Sequence, residues 1–170
     1  MKSLVNLLVS KWALFYLAVS VLLLVTVYII QYGFGYEPCE LCYYQRYPYM
    51  IAIPVAAIAF LTRHRIDIAM KRAARGFLII LIFLMFLGAF LAAHHVGVEL
   101  GYWQAFTACV APELGPDATS EEILRYMTEA RIIPCDQPEW TLFGISLAGY
   151  NLIISMVLAF FGIYIYRRTR

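Results

Sequence analysis

The chain alternates between long apolar stretches and short polar ones, and the apolar stretches have the length of membrane-crossing helices. Residues 12–31, Trp12 to Gln31, carry no charge and match the roughly 20 residues that a helix needs to cross a bilayer core. Tyr47 to Leu61 is apolar but short, and extending it back to Leu41 gives a span over 41–61 with Arg46 inside its outer boundary. Pro48 is early enough to be tolerated in a first turn, whereas the interior Pro54 is expected to kink that helix and free the Met50 carbonyl. A third span is expected over 76–94, closing on His94 and His95, and a fourth over 140–166, again without a charge. Lys2 ahead of an apolar run and the small residues Ala18-Val19-Ser20 loosely resemble a cleavable leader. The run continues well past them, so 12–31 is expected to remain as a span.

The segments between spans differ in charge. Residues 62–75 contain Arg63, Arg65, Lys71, Arg72 and Arg75 against Asp67. The stretch from His95 to Glu139 holds Glu99, Glu113, Asp117, Glu121, Glu122, Glu129, Asp136 and Glu139 against Arg125 and Arg131. With Lys2, Lys11, Arg167, Arg168 and Arg170, the basic groups fall on one side of a four-span bundle, which the positive-inside rule makes cytoplasmic. Both termini then face inward, and loops over about 32–40 and 95–139 face outward. Tyrosines at 32, 36, 43, 44 and 47 mark the outer boundary, and Tyr164 and Tyr166 the inner one. Gly144, Ala148, Gly149, Ser155 and Ala159 supply small residues for close packing of the last span. Thr119 and Glu122 have capping-box spacing ahead of Ile123, Leu124 and Met127, which predicts a short amphipathic helix over 120–130 on the outer leaflet.

Composition agrees with this layout. Of 170 residues, 63% are hydrophobic and 14% charged, against about 25% charged in soluble domains. The fold class expected is an all-α membrane protein: one integral-membrane domain over 1–170, with four transmembrane helices and a long periplasmic loop carrying the amphipathic helix. No nucleic-acid motif is present, and topology accounts for the basic residues.

The candidate chemistry lies in four cysteines, all on the outer side, where disulfides persist. Cys39 and Cys42 form a C-x-x-C at the start of the second span. Such a pair is redox-active, half of a zinc site, or structural; the wide separation of Cys109 and Cys135 argues against a four-thiolate zinc centre. Those two would close a loop of roughly 25 residues, as a structural staple contributing on the order of 3 kcal/mol or as an exchangeable disulfide that meets a protein partner. Arg46 follows Cys42 by four residues, one helical turn, where a guanidinium and a helix N-terminus both favour thiolate. A snorkelling arginine is the plainer alternative. Of His94 and His95, adjacent on a helix, only one can face the bundle. Met50, Met85 and Met156 read as lipid-facing or packing residues.

Cys39-Glu40-Leu41-Cys42-Tyr43-Tyr44-Gln45-Arg46 resembles the C-x-L-C-x-x-x-R signature of the disulfide bond formation protein B (DsbB) family. His95-Val96-Gly97-Val98-Glu99 is similar to that family's H-x-G-V-E stretch, and Cys135 followed by Trp140 and Gly144 to its C-x4-W-x3-G. The resemblance covers nearly the whole chain. It implies a thiol-to-quinone oxidase of the bacterial inner membrane with redox-active disulfides Cys39–Cys42 and Cys109–Cys135. A reduced periplasmic thioredoxin-fold partner, DsbA-like, would attack at Cys109 and release Cys135. Cys135 would attack Cys39, freeing Cys42 thiolate against a bound quinone, ubiquinone or menaquinone. Cys42, Arg46 and His95 are the quinone-contacting residues so implied, and no metal is. Two other readings remain: a quinone reductase similar to vitamin K epoxide reductase, whose quinone-side cysteine pair lies on a later helix, and a four-span assembly or metal-binding protein with a structural loop disulfide.

Overall fold

A computed structural model of the protein describes residues 11–62, 68–106, 119–121, 135–138 and 140–168. The first apolar stretch folds as α1, Trp12–Tyr28, and runs on into a single π-helical turn, Ile29–Gly33. A π turn adds a residue to the helical circuit and re-aims what it carries. Here it carries Gln31.

The second apolar stretch is not one helix over 41–61. It divides into α2, Glu40–Tyr44, and α3, Tyr47–Thr62, with Gln45 and Arg46 in a turn between them. Pro48 is the physical reason: it has no N–H to give the Tyr44 carbonyl, and its ring crowds that carbonyl. The turn is tight, since the Arg46 N–H donates to the Tyr43 carbonyl and the Met50 N–H to the Arg46 carbonyl, each at 3.0 Å. α3 continues through Pro54.

The third stretch is longer than the sequence suggested, a 32-residue helix α4, Ile68–Glu99. His94 and His95 therefore lie within its last turns instead of ending it, because the apolar face continues to the buried Val98. Termination comes at Gly101, whose φ of 73° suits glycine, with the Leu100, Gly101 and Tyr102 N–H groups bonded to the carbonyls of Val96, Val98 and Gly97. The extension puts Glu99 one turn beyond His95 on the same face.

The last helix also starts later than expected. Residues 141–146 form a two-stranded hairpin, β1 Thr141–Leu142 and β2 Ile145–Ser146, ahead of α5, Leu147–Arg168. Phe143 and Gly144 both have positive φ, 51° and 77°, as a two-residue type I′ connection demands, so Gly144 serves a turn and not helix packing. Ser146 caps α5, its Oγ accepting the Gly149 N–H at 3.1 Å.

α4 packs on α3 and α5, and α1 on α3. Tyr16 joins α1 to α5 by donating to the Leu158 carbonyl, beside an edge-on contact of Phe15 with Phe161. Ala148, Ser155 and Ala159 are buried along α5, as small packing residues should be. A Cβ on Gly162 would come 2.5 Å from both Ile82 Cγ1 and Tyr16 Oη, so glycine there permits close approach. Leu22, Phe83, Phe90 and Val157 project outward, leaving an apolar exterior that suits lipid. Among the described residues, three helical segments, Trp12–Gly33, Arg72–Glu99 and Leu147–Arg168, are long and apolar enough to cross a membrane. α3 has 16 residues. Of the amphipathic helix expected over 120–130, only Ser120 and Glu121 are described, both exposed. Cys109, Lys2 and residues 63–67 lie outside the described residues.

Candidate thiol redox site

Pro38 delivers the chain to Cys39 in an extended conformation, and Cys39 then caps α2, its sulfur accepting the Cys42 N–H at 3.3 Å. The two sulfurs are 2.9 Å apart, both free thiols, Cys39 buried and Cys42 partly exposed. Cys39 shares a small cluster with Leu41, Val98 and Cys135, with Cys42 and Ala105 packed against it.

From α4, His95 presents Nε2 to the Cys39 sulfur at 3.6 Å. Its Nδ1 meets Gln45 Nε2 at 2.7 Å. Glu99 Oε1 stands 3.9 Å from Nε2, and Ser146 Oγ donates to the other Glu99 oxygen. The Cys135 backbone also hydrogen-bonds the His95 ring. His94, by contrast, stacks on Phe106 and Trp103 away from the thiols.

Thiolate stabilisation therefore converges on Cys39. Its thiol is held well below the usual range, first by the hydrogen bond it shares with Cys42 and then, against the cost of burial, by His95. The sequence had pointed instead to Cys42, through Arg46 one helical turn away. The helix ends at Tyr44, and the direct contacts of the buried Arg46 are with other groups, its charge still being felt at Cys42: Nη1 donates to Gln31 Oε1 at 2.7 Å, and the guanidinium lies 5.2 Å from the Tyr28 ring centroid and 4.8 Å from that of Tyr43. Such contacts contribute roughly 0.5–2 kcal/mol each. Arg46 is thus clasped, not snorkelling.

Cys135 is disulfide-bonded and buried. The fold brings it from before the hairpin into the Cys39 cluster, 96 positions away in the chain. Cys109 is not among the described residues.

A cavity of about 320 Å³ opens beside these groups. Its lining combines the polar groups of Gln31, Cys42, Gln45, Arg46 and His95 with apolar side chains that include Leu23, Val27, Ile30, Leu147 and Ile154. A molecule with a polar head and an apolar body suits that mixture. Cys39, Cys42 and His95 also offer three donor atoms within 4.8 Å of one another, which is metal-ligand spacing. The surrounding shell suits a metal poorly: a ligating imidazole normally donates its second N–H to an acceptor, whereas Nδ1 here faces an amide N–H₂.

The sequence assigned no site role to Gln31, Gln45, Tyr49, Asn151 or Glu99, and read Ser155 only as a packing residue. Asn151 Nδ2 donates to Gln45 Oε1 at 2.7 Å, and Tyr49 OH donates to Asn151 Oδ1 at 2.6 Å while also meeting Ser155 Oγ. The available signal was an asparagine inside a chargeless span, since polar groups within membranes face the bundle and find partners. Gly97 of the H-x-G-V-E stretch has a steric reason, because a Cβ there would come 2.0 Å from Trp103 Cζ2.

Residues 10–165 match the protein family described as Disulfide bond formation protein DsbB. An uncharacterized protein of Rickettsia prowazekii is 29% identical over 146 residues, 85% of this chain and 80% of the relative. Two proteins named Disulfide bond formation protein B are also similar. That of Aromatoleum aromaticum is 27% identical over 149 residues, 83% of this chain and 82% of its own length. That of Polaromonas sp. is 28% identical over 154 residues, 82% and 79% of the two chains. No solved structure matches the chain.

Proposed function

The chain belongs to the DsbB family of disulfide bond formation proteins, and from that premise we propose that it is a quinone-dependent thiol oxidase that reoxidises a periplasmic DsbA-like dithiol protein. The observation that carries this reading is the meeting of both thiols, Arg46 and His95 on the wall of one cavity whose lining is otherwise largely apolar. In this proposal α2 and α3 together make the second of four spans of an inner-membrane domain over 1–170. The termini face the cytoplasm and the cysteines the periplasm.

Arg46, Cys42 and His95 hold the polar end of ubiquinone or menaquinone, with Gln31 fixing Arg46, while the leucine, valine and isoleucine walls take the tail. When bound, the quinone supplies a two-electron, two-proton acceptor and leaves as quinol. The protein's own part is thiol exchange. A partner thiolate attacks Cys109, forming a mixed disulfide and releasing Cys135 as thiolate. Cys135 forms a bond to Cys39, the Cys39–Cys42 bond breaks, and Cys42 leaves as thiolate beside Arg46. The guanidinium steadies negative charge at Cys42. The partner's second thiol displaces Cys109 from the mixed disulfide and leaves oxidised; Cys109 re-forms its bond to Cys135, releasing Cys39, and Cys39 and Cys42 close again as their two electrons and two protons pass to the bound acceptor. Each turnover converts two partner thiols into one disulfide and restores both pairs in the chain.

The test is anaerobic mixing of the purified protein, a reduced DsbA-like partner and quinone, followed by quinone absorbance. Loss of quinone colour with oxidation of the partner, abolished by Cys42→Ser, is expected. Unchanged turnover in Cys42→Ser overturns the assignment.

A further inference from the structure

The thiol pair accounts for Cys39, Cys42 and His95, but not for the buried amide chain behind the histidine. Gln45 sits in the turn between α2 and α3, buried, with its Nε2 between two acceptors: the Leu41 carbonyl at 3.3 Å and His95 Nδ1 at 2.7 Å. A carbonyl only accepts, so the end of the amide facing Leu41 is the nitrogen. The same nitrogen then donates to Nδ1. Its oxygen is occupied by Asn151 Nδ2 at 2.7 Å, and Asn151 is oriented in turn by Tyr49 and Ser155. Tyr49 and Ser155 can exchange donor and acceptor roles between themselves, but the amides of Asn151 and Gln45 are oriented from the Leu41 carbonyl outward. That orientation makes Nδ1 of neutral His95 an acceptor and leaves the ring proton to Nε2, 3.6 Å from the Cys39 sulfur, where the Cys135 backbone that hydrogen-bonds the ring shares it.

We propose that Gln45, held by Asn151, is a positioning residue that locks His95 in its Nε2–H form, making the imidazole a hydrogen-bond donor to Cys39. In nucleophile-activating triads the third group accepts from the histidine and leaves a basic nitrogen facing the nucleophile. The amide here is turned the opposite way. His95 therefore does not take a proton from Cys39; it stabilises the sulfur as thiolate, the state Cys39 has whenever it leaves a disulfide or attacks one. The same lock keeps the Nε2 lone pair from a metal, which protects a dithiol whose spacing invites one.

This inference deepens the thiol-oxidase reading by giving one of its sulfurs a dedicated donor, yet its test needs no quinone. The charged and titratable groups around Cys39 are Cys42 from α2, His95 and Glu99 from α4, and Cys135, whose sulfur is in a disulfide. Glu37 lines the adjoining cavity, and Arg46 is engaged with Gln31, Tyr28 and Tyr43.

In full-length protein carrying Cys42→Ser, with the loop disulfide closed, Cys39 is the one free thiol, and its iodoacetamide alkylation rate is followed against pH. Gln45→Leu is expected to raise the midpoint by about one unit, the size of one directed hydrogen bond to a thiolate. Asn151→Leu is expected to move it the same way. Gln45→Glu restores the low midpoint, because a carboxylate paired with His95 favours the imidazolium, which still donates from Nε2. In a His95→Phe background, Gln45→Leu produces no further shift. An unmoved midpoint in Gln45→Leu, or a second full shift on top of His95→Phe, overturns the proposal. Nitrogen-15 NMR of the histidine-labelled, otherwise unaltered protein tests it without a core substitution: protonated Nε2 and bare Nδ1 are expected, and the opposite tautomer refutes it. Quinone turnover enters none of these readouts, so they stand or fall apart from the oxidase assignment.

Discussion

Arg46 Nη1 donates to Gln31 Oε1 at 2.7 Å, linking the turn after the first cysteine pair to a π-helical turn in another helix. An unbroken α-helix would present position 31 at a different angle, so the local backbone and the guanidinium's orientation are one device. Replacing Gln31 by Leu is expected to raise the quinone KM roughly three- to tenfold, the loss of one charge-assisted hydrogen bond of about 1 kcal/mol. Arg46→Met should raise it further. Exchange between a partner dithiol and the loop cysteines, measured by mixed-disulfide trapping, stays near its original rate in both. Equal losses in the two steps would remove the local role given to Arg46.

The cysteine pair is asymmetric, with the depressed thiol at Cys39. In the dithiol form, competitive alkylation followed by peptide mapping should label Cys39 ahead of Cys42 as pH is lowered below the ordinary thiol range of about 8.5. Linkage has a definite sign. The folded dithiol holds fewer protons at Cys39 than the unfolded chain does between the lowered and the ordinary pKa. Its stability therefore rises with pH across that window and is lost as pH falls through the lowered value. Preferential labelling of Cys42 would reverse the assignment.

Cys135 and Cys39 share one buried cluster, which predicts a direct bond between them when the loop pair cannot close. In Cys109→Ser, non-reducing peptide mapping should recover a Cys39–Cys135 disulfide with Cys42 free. Recovery of the Cys39–Cys42 disulfide with Cys135 reduced would show that the cluster does not support exchange.

Gly97 lies under the Trp103 indole, whose Nε1 donates to the His94 carbonyl at 2.9 Å. Gly97→Ala must displace that ring, at a cost on the order of 1–3 kcal/mol. A lower denaturation midpoint in detergent and greater tryptophan exposure to quenchers are the expected signs. Unchanged fluorescence would mean that the ring is held by other contacts.

Much of this was legible in the chain itself. Charge-free stretches of bilayer length located α1, α4 and α5, because a helix satisfies its own backbone where water is absent. The cysteine spacing, with Arg46 and His95 nearby, located the chemistry, since few residue types carry thiol exchange and they stand close together on one side. Helix ends were less legible. The break at Gln45–Arg46, the extension of α4 to Glu99 and the hairpin before α5 depend on Pro48, on the packing of Val98 and on a two-residue turn at Phe143–Gly144. Each is a local device whose outcome depends on neighbours that periodicity does not register.

What tertiary structure alone decided is which sulfur is favoured and by what. Sequence spacing gave Cys42 a cation at one turn, and any one-dimensional reading stops there. Only packing brings His95 from 56 residues away and Asn151 from 106 residues beyond Gln45, and sets the direction of the hydrogen bonds between them. Direction in such a network is fixed where it meets a group that can only accept, here the Leu41 carbonyl. Residue identity supplied the thiols; the three-dimensional arrangement placed His95 and Cys42 around Cys39, where they favour its thiolate.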